Sequence, residues 1–66
     1  MTADELAALR SSLHERRLNL ETELFKLNLV ADKIRAEKLE GVRDISVAIT
    51  NIETGLLWLQ QTADKI

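Results

Sequence analysis

Val42, Ile45, Ile49, Ile52, Leu56, Leu59, Ala63 and Ile66 follow one another at alternating steps of three and four. That spacing places side chains on one side of an α-helix. It predicts a helix over residues 43–65, with one apolar face along its whole length. Ile45, Val47 and Ile49 also alternate as a strand would, and β-branched residues are only moderate helix formers. A lone strand would have no partner strand, however, and the three-four stripe continues past Trp58.

Upstream, Leu6, Leu9, Leu13, Leu20, Leu24, Leu27, Ala31 and Ile34 keep the same kind of spacing. Thr2 and Glu5 stand three apart, the capping-box arrangement in which hydroxyl and carboxylate satisfy amides at a helix start. The first helix is therefore expected over 3–39, with Lys38 complementing its negative end. Gly41, where the apolar register changes, is expected to supply the left-handed cap in a turn over 40–42. Asp44 is the expected N-cap of the second helix. The reading is an all-α, two-helix antiparallel hairpin forming a single domain over 1–66.

Helix lengths complicate that picture. At 1.5 Å per residue the two helices would span about 54 Å and about 35 Å, which leaves an overhang bearing Leu6, Leu9 and Leu13. Those leucines need cover. Either residues 1–13 break near Ser11-Ser12 into a short separate helix, or they pack on another subunit. Leu18, Phe25, Leu29 and Val30 form a second apolar strip, and Val47, Leu57 and Trp58 lie beyond the second helix's stripe. One partner helix cannot cover all of these.

Composition points the same way. A 66-residue chain buries only about 60% of its unfolded surface and is marginally stable alone. With no Cys and a single His, the usual disulfide and metal staples are missing, so a homo-oligomer is expected. A net charge of −2 with interspersed signs disfavours a duplex DNA or RNA partner held by phosphate attraction. No apolar run approaches the roughly 20 residues of a membrane span, and Thr2-Ala3-Asp4-Glu5 is no secretory signal. A cytoplasmic protein without a membrane partner is expected.

From Arg43 to Leu59 the pattern Arg-Asp-x-Ser-x-Ala-Ile-Thr-x-x-Glu-x-x-x-x-Trp-Leu resembles the hairpin domain of phage cyclic-nucleotide sponges. These small anti-defence proteins, anti-CBASS sponges and a related group acting against Thoeris, form multimers and sequester nucleotide second messengers without degrading them. The resemblance covers Arg43, Asp44, Ser46, Ala48, Ile49, Thr50, Glu53, Trp58 and Leu59, roughly a quarter of the chain. It implies sequestration of cyclic di- or trinucleotides or cyclic ADP-ribose isomers in the cytoplasm of an infected bacterial cell. Thr54-Gly55-Leu56-Leu57 stands where a more polar and bulky run is expected before the Trp, which leaves the ligand's identity open.

The residues themselves set out candidates and their plainer alternatives. A phosphate-bearing ligand asks for cationic donors, hydroxyls and a flat apolar wall. Arg43 at a helix start can clamp a phosphate, or can simply pair with Glu40 across the turn. Ser46, Thr50 and Glu53 share a face distinct from the isoleucine stripe, with Asn51 and Thr54 one strip over; such a row lines a groove or merely faces solvent. Trp58 stacks on a base or packs in an interface. Gly55 in mid-helix points to close helix approach or to ligand access. Arg16, Arg17, Lys26, Lys33, Arg35 and Lys38 can reach a phosphate from the first helix, or form ion pairs with the acids among them.

His14 has no second His, Cys or nucleophile at useful spacing, so neither a metal, a cofactor nor enzymatic catalysis is expected. Two other readings stay open. One is a helical-hairpin structural or regulatory interaction module without a small-molecule ligand. The other is an RNA-binding four-helix dimer resembling plasmid copy-control proteins.

Overall fold

A computed structural model describes all 66 residues. The chain forms two helices, α1 (Ala3–Ala36) and α2 (Val42–Lys65), packed along one another as an antiparallel hairpin. α1 begins on half of the capping box, with the Glu5 carboxylate meeting the Thr2 hydroxyl and not the Thr2 amide. The Thr2 hydroxyl accepts the Glu5 amide at 3.1 Å and donates to the Glu5 carboxylate at 3.2 Å, which ties down one of the free amides of the first turn. Asp4 and Glu5 there, and Lys33 and Arg35 in the last turn, sit at the ends of the dipole that favour their charges.

The turn lies earlier than the sequence predicts. α1 stops at Ala36 because Lys38 adopts a left-handed conformation (φ 53°). Its amide then bonds to the Arg35 carbonyl at 3.1 Å, and the Leu39 amide bonds to the Ile34 carbonyl at 3.0 Å. This pair of bonds is the Schellman arrangement that satisfies the orphan carbonyls of a helix end. Lys38 rather than Gly41 thus ends α1. Gly41 takes its positive φ, 94°, at the start of α2, whose N-cap it is. Asp44 falls inside the first turn of α2 and is not the cap.

α1 runs on through Ser11-Ser12 without a break, so no separate N-terminal helix forms. Serine costs only a few tenths of a kcal/mol in a helix interior, less than a chain reversal would. Arg10 donates to the Ile66 carbonyl, which sets the end of α2 level with Arg10 and leaves only the first turns of α1 projecting. The particle is a rod of 53 × 15 × 12 Å.

Its interior is thin. Ala31 and Ile49 are the only buried residues, and Leu13, Leu24, Leu27, Ile34, Val42, Ile45, Ile52, Leu56, Leu59 and Ala63 line the seam half-covered. The α2 stripe therefore packs as its spacing predicts. On α1, Leu9 and Leu20 are exposed. Close approach of α1 does not explain Gly55, since within the hairpin a methyl group built there meets nothing within 4 Å. Gly55→Ala should accordingly stabilise the hairpin by about 1 kcal/mol, read as a rise of several degrees in a thermal melt followed by circular dichroism; a lower midpoint would mean that the position is occupied from outside the hairpin.

Candidate functional site

The first turns of α2 carry the densest set of polar candidates. Arg43, Ser46, Thr50 and Asn51 come together with Val47 around a shallow surface depression of 230 Å³. Successive steps of three and four on one helix produce this grouping, with Val47 as its apolar floor. Glu53 and Trp58 do not line it. Trp58 lies eight residues beyond Thr50, about 12 Å along the axis, and is exposed with Leu57 beside it.

The chemistry of each wall differs. Arg43 makes no ion pair: the pairs present are Lys26–Glu23 at 3.5 Å and Arg35–Asp32 at 3.1 Å. The alternative pairing with Glu40 is thus absent, and the guanidinium keeps its donors for another acceptor. It stands at the second position of a helix whose cap offers no side-chain acceptor, so the positive end of the dipole adds to its charge. The hydroxyls are oriented differently. Ser46 donates to the Val42 carbonyl at 2.8 Å, Thr50 to the Ser46 carbonyl at 3.0 Å, and Thr54 to the Thr50 carbonyl at 3.0 Å.

With their protons directed into the helix, Ser46 and Thr50 present lone pairs outward, as acceptors for N–H groups. The Asn51 amide makes no internal hydrogen bond and can do both. One end of the depression therefore suits an anion and the rest suits the N–H edge of a base. It is open to solvent, and a single hairpin does not enclose anything there.

On α1 the cations divide. Lys26 and Arg35 are held in the exposed pairs above, Arg10 holds the Ile66 carbonyl, and Arg16, Lys33 and Lys38 are in no pair. Arg16 lines a second hollow of 280 Å³ with Leu9, Ser12, Leu13, Thr62 and Ile66, at the open end of the hairpin. Arg17 is a residue whose place the sequence reading missed. It is half-buried, and its Nε is shielded from solvent without a hydrogen-bond partner. Counting Leu13, Arg17, Leu20, Leu24 in steps of four, three and four would have placed it in the seam.

An unpartnered buried donor costs roughly 1–3 kcal/mol. Arg17→Leu should therefore raise the thermal midpoint of the hairpin by several degrees. An unchanged or lower midpoint would show that the guanidinium already has an acceptor in the protein in solution.

His14 is joined by no cluster of three or more His, Cys, Asp or Glu able to hold a metal. No helix is long and apolar enough to cross a membrane. No protein-family model, curated protein or solved structure matches this chain.

Proposed function

We propose that this protein is a homo-oligomeric sponge of the phage anti-defence kind, which binds cyclic oligonucleotide or related nucleotide second messengers at subunit interfaces and does not cleave them. The observation that carries the reading is the unpaired Arg43 beside outward-facing acceptors of Ser46 and Thr50, with Asn51 and the Val47 wall in the same depression. Arg43 would take a phosphate, Thr50 and Asn51 a base edge, and Ser46 a ribose or base donor. Glu53 and Trp58 contribute only if a second subunit brings a ligand across to them, Trp58 by stacking.

Enclosure must come from another copy. The depression, at 230 Å³, falls below the roughly 300 Å³ of typical small-ligand pockets. Sequestration further requires affinity near or below micromolar, about −8 kcal/mol, which an open groove on one helix does not supply. The setting that goes with this reading is the cytoplasm of an infected bacterium, with no membrane, duplex nucleic acid or cofactor involved.

Titration calorimetry against cyclic dinucleotides, cyclic trinucleotides and cyclic ADP-ribose isomers is the test. Saturable binding of at least one, with intact ligand recovered after denaturation, is the expected result; a flat response across the panel sinks the proposal. The second reading, an interaction module without a small ligand, is favoured by the many large apolar side chains left in solvent, Phe25, Leu57 and Trp58 among them. It predicts the flat response together with a stable oligomer.

A further inference from the structure

α1 is apolar on two opposite sides, and only one of them faces α2. Leu18, Thr22, Phe25 and Leu29 succeed one another at steps of four, three and four, about 120–180° around the helix from Ala31 at 3.6 residues per turn. Leu18, Phe25 and Leu29 are 48%, 66% and 54% exposed. Thr22 adds no unmet polar group, because its hydroxyl donates to the Leu18 carbonyl at 3.1 Å. A helix with apolar residues on two sides is ordinarily covered on both.

We infer that this outer seam of α1 is where a second copy of the chain docks, through the same seam, antiparallel and about a two-fold axis near residues 23–24. The area calls for such a partner. The hairpin exposes 5349 Å², whereas a compact monomer of its 7.5 kDa mass exposes about 4,250 Å². The excess of about 1,100 Å² compares with about 800 Å² buried per partner in a standard interface.

Orientation follows from size. Antiparallel pairing about residues 23–24 sets Leu18 against Leu29 of the second copy and Phe25 against Thr22, so that large meets small. Parallel pairing would set Phe25 against Phe25. In the antiparallel register Glu15 stands opposite Asp32 of the second copy, with Lys33 of that copy one position on to offset the like charges. This interface puts α1 at the centre of a four-helix layer and leaves the Arg43 depression on an outer helix, so enclosure of the depression needs a further contact between such dimers. It depends on self-association but not on nucleotide binding, so the calorimetric test and the one below fail separately.

The chain has no cysteine, so single-Cys variants report geometry directly. Leu18→Cys and Leu29→Cys proteins, mixed and treated with a short bis-maleimide, should cross-link chiefly to each other. A dominant Leu18→Cys self-cross-link, or a yield no higher than that of an exposed Glu37→Cys control, overturns the assignment. Phe25→Glu, at an exposed position, should keep its helical circular dichroism while the subunit dissociation constant rises at least about thirtyfold. Wild-type mass by sedimentation at concentrations well below that point would also overturn it.

Discussion

Replacing Ile49 by alanine is expected to remove most of the hairpin's stability. Ile49 is 7% exposed, and the other buried residue, Ala31, is already small. Ile49 is therefore the largest side chain in full contact across the seam. Truncating a buried isoleucine costs about 2–5 kcal/mol, while a chain of 66 residues has about 3–10 kcal/mol in all. A melt followed by circular dichroism should show the midpoint falling by 10 °C or more as an order of magnitude, or no cooperative transition at all. Ile49→Val, losing one methyl group, should cost about 0.5–1.5 kcal/mol. Val47→Ala should change little, since Val47 is 53% exposed. If Ile49→Ala melts within a few degrees of the parent, the seam is not where the stability resides and the oligomer interface takes its place.

The second large effect is expected on ligand binding. In an Arg43→Ala, Thr50→Val double variant, a charged donor and a neutral acceptor are removed from the depression while the seam is untouched. A hydrogen bond to a charged group contributes about 1.5–3 kcal/mol and a neutral one about 1 kcal/mol. Together they predict a loss of nucleotide affinity of about a hundredfold to a thousandfold. The fold and helicity should stay at parental values, because neither side chain packs in the seam and Thr50 contributes only a bond to its own helix. Undiminished binding by an intact oligomer would assign Arg43 and Thr50 to a solvated surface and move any nucleotide site elsewhere.

Much of the architecture was legible in the residue order. Thr2 and Glu5 mark the start of α1 because a capping box is built from neighbours three apart. The stripe from Val42 to Ala63 marks the buried face of α2 because a helix converts a three-four spacing into a side. The turn was less legible. Gly41 is the obvious left-handed residue, yet Lys38 also takes positive φ, and two such residues in one short turn ended α1 three residues early. Gly55 marks no close approach of α1, since nothing within the hairpin comes within 4 Å of a methyl group there.

The grouping of Arg43, Ser46, Thr50 and Asn51 was foreseeable, since all four come from one helix and need only its pitch to meet. The role of Val47 as their wall follows from the same pitch. That the Arg17 Nε is shielded without a partner instead needed the packing of both helices, and so did the end of α2 level with Arg10.

By itself, then, the sequence determined the two helices, the seam face of α2 and the cluster of polar groups near its start, because each rests on spacing within a few turns. Only the tertiary structure decided how far α2 reaches along α1, that Lys38 rather than Gly41 ends α1, and that the Arg17 Nε is left without a partner. Those features depend on where the turn closes and on how one helix is registered against the other, and no local spacing carries that information.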